Sequence, residues 1–424
     1  MDNWHKLDNA AKLFPAVSKT TNTSIFRISV VLKQDVKPEV LQDALDIVIK
    51  RFPSLSLRIR RGVFWYYLEE INSRLMIEEE KDYPCSPIKS SPHNRFLLRV
   101  IYYKRRISVE VYHALADAMG AMEFLKTLVY QYLMLQGVYI EPEGLILLPE
   151  DKPSQAEMED SFKKYYRPLG FHITPEKKPF IIEGTPFANF GNNIIQGIVS
   201  VKKFRTACKE KGVTITEYIS ALLAYSIYRE TVQYQINPKP INIAIPINLR
   251  NIFPSQTLRN FFSVSIISIN ITRGMDFDDM LEQFKFYLKQ KTTEEYLSYA
   301  VSRYGKMENM LVSRFIPLFI KDIFIGFGAK NFGEKFKTTT ISNLGNIKIP
   351  SDMAPHIDWM EMILYPTTIA PINCGVCSVN DRLTISFSRT IIETKIIRHF
   401  FNYLATTVGI DVEIYSNDWE TEYE

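Results

Sequence analysis

Along the chain, stretches of alternating apolar residues give way to stretches with apolar residues three and four apart, and this strand-then-helix order occurs twice. Residues 26–32 read as a strand. Pro38 then opens a helix whose stripe is Leu41, Ala44, Leu45, Val48, Ile49 and Phe52, and Pro53 ends it. Residues 55–60 alternate strongly, and 62–68 continue as an aromatic-rich ribbon. Residues 96–102 and 107–112 read as a hairpin around Lys104, Arg105 and Arg106. A helix begins near Ala118 and carries Met122, Leu125, Leu128, Val129 and Tyr132.

Between about 141 and 179 the pattern lapses. Pro142, Pro149, Pro153, Pro168 and Pro175 punctuate a charged stretch expected to be an exposed crossover, with a helix near 155–166. The second half then repeats the order. A strand over 196–201 leads into a short helix over 202–211, stopped by Gly212. Thr214 and Glu217 form a capping box ahead of a helix carrying Tyr218, Ala221, Leu222, Tyr225 and Tyr228. Strands follow at 241–248, 261–269, 338–341, 372–379 and 383–388, with helices at 276–289 and 396–408.

Composition narrows the class. With 424 residues, 46% of them hydrophobic, the chain has enough apolar material for two cores. A net charge of +4 gives no ground for a nucleic-acid partner. The apolar stretch 311–327 is interrupted by Arg314, Lys321 and Asp322, so no membrane span is expected. The N-terminus is polar, without a signal-peptide pattern, and a cytoplasmic location is expected. The four cysteines, Cys85, Cys208, Cys374 and Cys377, are too sparse for a disulfide scaffold. Cys374 and Cys377 have CxxC spacing inside a strand-like stretch, where a redox or zinc role competes with plain burial. None of the six histidines (His5, His93, His113, His172, His356, His399) pairs with another at metal-ligand spacing, so no metal is expected.

The stretch with candidate chemistry is Val109-Glu110-Val111-Tyr112-His113-Ala114-Leu115-Ala116-Asp117-Ala118-Met119-Gly120. A histidine sits at the end of a strand, and an aspartate four residues later stands where a helix cap belongs. A base at the end of a rigid strand suits acyl transfer, while a structural histidine is the plainer alternative. His113-x-x-x-Asp117 resembles the active-site motif of the chloramphenicol acetyltransferase-like superfamily. That group includes alcohol acetyltransferases, plant acyltransferases and peptide-synthetase condensation domains. Its usual form is His-His-x-x-x-Asp-Gly, so Tyr112 and Ala118 are departures, and the glycine is the one with a conformational reason behind it. Pro246-Ile247-Asn248-Leu249-Arg250 with Leu258-Arg259-Asn260-Phe261-Phe262, then Ser342-Asn343-Leu344-Gly345 and residues 381–388, extend the resemblance over most of the chain. It is closest to the alcohol acetyltransferase-like members.

The resemblance implies an α+β (mixed α/β) fold of two similar halves, 1–175 and 176–424, each a mixed sheet flanked by helices, with a tunnel between them. It implies an acyltransferase with His113 as general base, in which the acceptor attacks a thioester directly and no acyl-enzyme forms. Acyl-CoA is the expected donor and an alcohol or amine the acceptor; no cofactor is implied. Asp117 is expected to pair with an arginine, for which Arg58 and Arg250 are candidates. Ser263, Ser265 and Asn343 are candidates for the oxyanion or substrate contact, against ordinary strand and turn roles. Two other functions compete. One is a condensation-type enzyme whose donor rides on an acyl carrier protein, for which Lys202, Lys203, Arg205, Lys209 and Lys211 offer a basic run or simply a solvated helix face. The other is a non-catalytic binding protein that has kept the fold. The 27 Phe and 23 Tyr fit either an apolar tunnel or two large cores.

Overall fold

The computed structural model describes residues 4–8, 10–88, 96–169, 177–188, 190–309, 316–332, 334–365 and 367–417. Among them the strands form three sheets. A five-stranded sheet runs in the order Ile357–Ile363, Ile25–Leu32, Arg106–Tyr112, Leu98–Tyr103, Ile77–Glu79. A seven-stranded sheet runs Phe262–Ile269, Ile241–Asn248, Thr339–Asn346, Ile372–Val379, Arg382–Arg389, Asn193–Ser200, Glu413–Asn417. A small third sheet joins Trp4–Lys6, Tyr66–Glu70 and Leu57–Arg61.

Helices cover one face of each large sheet. Pro38–Val48 and Ala118–Leu135 bury Leu41, Leu45, Met122, Phe124 and Leu125 against Phe26, Ile28, Val30 and Val109. Ile215–Glu230, Phe277–Lys291 and Lys395–Thr406 bury Leu222, Phe284 and Phe400 against Ile243, Ile267 and Ile385. The other faces of the sheets meet. Val31 packs with Ile198 and Trp359, and Ile25 with Ile194 and Ile363. Every residue of Ile25–Leu32 is therefore buried, which leaves no polar face for the alternation to show.

The strand Ile357–Ile363 was not foreseen, and neither was Glu413–Asn417. Ile357–Ile363 lies in the second half of the sequence but pairs with Ile25–Leu32 of the first sheet, and its outer face rests on Ile372–Val379 and Arg382–Arg389. It is buried on both faces, so it has no period-two signature. The crossover expected over 141–179 is only partly exposed. Its short helices Gln155–Met158 and Ser161–Lys164 bury Glu157 and Phe162. Arg51 forks onto Glu157 at 2.7 and 2.8 Å, and Phe162 meets Phe261 edge-on at 5.2 Å. Residues 170–176 of that crossover lie outside the described residues, as do 311–315 of the apolar stretch.

The face between the sheets is ionic as well as apolar. Arg27 donates from Nε to Glu110 at 2.7 Å and also reaches Glu80. Arg99 donates to the other oxygen of Glu110 at 2.7 Å, and Arg106 to Glu80 at 2.7 Å. Buried charges of this kind are tolerated because each carboxylate is met by guanidinium donors.

The two large sheets touch backbone to backbone at Gly375, where a Cβ would sit 2.1 Å from the Met362 carbonyl oxygen and 2.8 Å from its carbon. Both neighbours are backbone and cannot swing aside. Gly375→Ala is expected to lower unfolding stability by about 1–3 kcal/mol, measured by urea denaturation.

Candidate functional site

His113 follows the strand Arg106–Tyr112, and its backbone nitrogen donates to the Ser24 carbonyl at 2.8 Å. Four residues on, Asp117 caps the helix Ala118–Leu135 by accepting from the Gly120 nitrogen at 3.1 Å. The same carboxylate reaches into the second half. It accepts from Arg250 Nη1 at 2.7 Å and Nη2 at 3.2 Å, and from the Phe261 backbone nitrogen at 2.9 Å. Arg250 turns its remaining donors onto the Thr257 and Arg259 carbonyls, which shapes the loop from 249 to 261. Arg58, the other expected partner, does not face Asp117. It lies in the small sheet and donates to Glu69 at 2.6 Å.

Ala118, where the resembled motif has glycine, is accommodated without strain. It is the first helical residue and is not among those with left-handed backbone. The glycine this turn requires is Gly120, where a Cβ would lie 1.9 Å from the Leu258 carbonyl oxygen. The helix and the loop of the second half touch backbone to backbone there.

That loop delivers Asn260, a residue for which the sequence carried no assigned role. Its Nδ2 donates to the His113 carbonyl at 3.0 Å and to Asp8 at 3.3 Å. Both partners are acceptors, so Oδ1 is the atom facing His113 Nδ1, 3.0 Å away. A carbonyl oxygen accepts only, so Nδ1 carries the proton and Nε2 keeps its lone pair. Asp8 is itself buried, capped onto the Ala11 nitrogen at 2.7 Å, with Arg259 3.6 Å away. Burial pushes its carboxyl above the usual range, and Arg259 partly offsets this.

The imidazole is held among aromatic rings. Phe14 stacks on it at 4.6 Å between centroids with planes 10° apart, Phe26 meets it edge-on at 5.0 Å, and Phe262 lies tilted at 5.1 Å. Removal from water in these surroundings lowers the His113 pKa below its ordinary value, although the nearby charge of Asp117 and the bond to Asn260 pull it back up. Burial therefore favours the neutral imidazole, with the proton on Nδ1 and Nε2 unprotonated.

The serines expected to supply an oxyanion donor point elsewhere. Phe262 faces His113, and side chains alternate along Phe262–Ile269, so Ser263 and Ser265 share the opposite face with Ile267 and Ile269, under the helices. Ser265 is bonded there to the Lys291 carbonyl at 3.2 Å. Asn343 donates to Thr216 at 2.9 Å and accepts from the Gly345 nitrogen at 2.8 Å, contacts that belong to the second half. Cys374 and Cys377 are three residues apart on one strand and enter different cores, so their thiols do not meet. Burial raises both thiol pKa values. Among the described residues no cluster of His, Cys, Asp or Glu is arranged to hold a metal, and no helix is long and apolar enough to cross a membrane.

Replacing Arg250 by leucine would leave Asp117 buried without its cation and is expected to cost about 3–5 kcal/mol of stability by denaturant titration. In an NMR titration, His113 is expected to protonate below pH 6.5. Asn260→Asp sets a carboxylate against Nδ1–H and is expected to move that midpoint upward, since a nearby anion favours the imidazolium.

Comparison with known proteins adds the following. The family model described as alcohol acetyltransferase matches residues 188–314. No curated protein sequence matches the chain. Among solved structures, the polyketide synthase associated protein 5 of Mycobacterium tuberculosis superposes with a TM-score of 0.60 at 12% identity, over 95% of this chain and 97% of that one. The first condensation domain of the calcium-dependent antibiotic synthetase gives 0.59 at 13% identity, covering 96% of each chain. The trichothecene 15-O-acetyltransferase of Fusarium sporotrichioides gives 0.57 at 9% identity, over 95% of this chain and 94% of that one. The chain thus shares the overall fold of these condensation-domain and acetyltransferase structures.

Proposed function

We propose that this protein is an acyltransferase that moves an acyl group from a thioester to an alcohol or amine, with His113 as the general base. The observation that carries this reading is the Asn260 bond, which keeps the proton on Nδ1 and leaves Nε2 unprotonated beside Phe14, Phe26 and Phe262. An acceptor O–H or N–H placed against Nε2 gives up its proton as its oxygen or nitrogen attacks the thioester carbonyl carbon. The tetrahedral intermediate collapses, the C–S bond breaks, and the thiolate leaves with the proton that the imidazolium returns. Asp117 takes no part in proton transfer, because both of its oxygens are engaged by Arg250, Gly120 and Phe261. Its task is to hold the turn that presents His113.

Acyl-CoA is the proposed donor. The carrier-protein alternative drew on the basic run at 202–211, and two of its lysines are engaged on their own surface, Lys203 with Asp411 at 2.7 Å and Lys211 with Asp278 at 2.6 Å. A soluble, cytoplasmic enzyme without a cofactor remains part of the proposal.

The test is thiol release from acetyl-CoA and longer acyl-CoAs with a panel of alcohols and amines. Acceptor-dependent release is expected, falling about 10²–10⁴-fold in His113→Ala while circular dichroism stays unchanged. Release should be lost as pH falls through a midpoint below 6.5, because the lowered pKa keeps Nε2 unprotonated down to that point. Release unaffected by His113→Ala would remove the histidine from the mechanism.

A further inference from the structure

The helix Leu318–Phe332 begins Leu-Phe-Ile-Lys-Asp-Ile-Phe-Ile-Gly-Phe and has no polar face. Its inner side is fixed to the protein. The Leu318 nitrogen donates to the Val63 carbonyl at 2.9 Å, and Asp322 accepts from the Tyr66 hydroxyl at 2.8 Å. Its outer side is apolar and open to solvent: Phe319, Ile323 and Phe324 are 58%, 68% and 70% exposed. Phe319 and Ile323 are one helical turn apart and Phe324 is beside them, so the three form one surface. The tip of the neighbouring hairpin extends it with Val63 and Phe64, 72% and 40% exposed. Large contiguous apolar surface of this kind is uncommon on a protein that stays free in water.

Cations border it. Lys321 stands 3.3 Å from the centroid of the Trp65 ring and donates to the Phe64 carbonyl at 2.9 Å, while Lys12 lies 5.7 Å from the same ring. Arg61, the last strand residue before the hairpin tip, is largely exposed. The acid among them, Asp322, is already engaged by Tyr66 and lies 3.6 Å from Arg61. Apolar side chains pointing outward, an aromatic ring with an amphipathic setting, and a rim of positive charge match the boundary between acyl chains and anionic headgroups. At 15 residues, with Lys321 and Asp322 within it, the helix is too short to span a bilayer. We propose that this face docks the protein on an anionic lipid bilayer, with Phe319, Ile323, Phe324, Val63 and Phe64 entering the interface and Lys321, Lys12 and Arg61 at the phosphates.

The location links the surface to the site. The helix packs on Phe14–Val17, the short helix whose Phe14 stacks on His113. Docking would therefore set the aromatic surroundings of the histidine close to a bilayer, in position to receive an apolar alcohol or amine dissolved in it. That last step rests on the acyltransferase reading; the docking itself does not, because it is measured without substrate.

The experiment is co-sedimentation of the full chain with phosphatidylcholine vesicles, with and without phosphatidylserine, alongside light scattering of the protein alone. Wild type is expected to sediment with the phosphatidylserine vesicles, less with phosphatidylcholine alone, and less as salt rises. Ile323→Ser with Phe324→Ser should weaken vesicle binding at least about tenfold with the melting temperature unchanged, because both side chains stand in solvent. If that pair disturbs folding, Val63→Ser with Phe64→Ser on the hairpin tip serves the same purpose. Wild type left in the supernatant with both vesicle types, or variants that sediment as well as wild type, would overturn the proposal. A dimer that the serine variants convert to monomer, without vesicle binding, would assign the face to a second copy and overturn it equally.

Discussion

The ion pair between Asp117 and Arg250 is the contact on which the candidate site depends. Asp117 comes from the first half and Arg250 from the second, and both are largely buried. The carboxylate also accepts from Gly120 of its own helix and from Phe261 across the divide. A charge taken from water needs donors on all sides, and these are supplied only when the loop from 249 to 261 lies against the start of the helix. That docking places Leu258 on Gly120, Asn260 on His113, and the Phe262 ring beside the imidazole. The geometry of the histidine is thus a property of the join between halves.

The rest of the join is built to keep that geometry. Ile357–Ile363 leaves the second half to complete the first sheet, and the paired charges of Arg27, Glu110, Glu80, Arg99 and Arg106 lie under the same interface. Sliding one half against the other would strip Asp117 of its donors on Arg250 and Phe261, which costs far more than the mean worth of a hydrogen bond. An interface of this composition favours one relative placement of the halves.

One environment has opposite effects on two charged states. Near Asp117 the exclusion of water strengthens attraction to Arg250. At His113 the same exclusion disfavours the imidazolium and so favours the neutral ring with Nε2 unprotonated. Asn260 completes the arrangement without adding charge: it selects the tautomer through an amide that is itself oriented by Asp8 and the His113 carbonyl. An aspartate in its place would select the same tautomer and undo the lowering of the pKa.

Much of this could be read along the chain. Helices with one apolar stripe, the capping box at Thr214 and Glu217, and His113 followed four residues later by Asp117 are local patterns set by the 3.6 and two-residue periods. The two-lobed α+β fold followed from their order and from the family resemblance. What the sequence left open are matters of distance. Arg58 and Arg250 were equal candidates until the fold put one beside Glu69 and the other beside Asp117. Alternation said that Ser263 and Ser265 share a face, but only the packing of the helices decided that this face is turned from His113. Ile357–Ile363 carried no alternation because both its faces are buried. Asn260 looked like any polar residue in a loop, since its partners at 8 and 113 are distant in sequence. Periodicity reports which side chains of one element point together; which elements then meet is settled by the packing of faces and the pairing of buried charge, and that exists only in three dimensions.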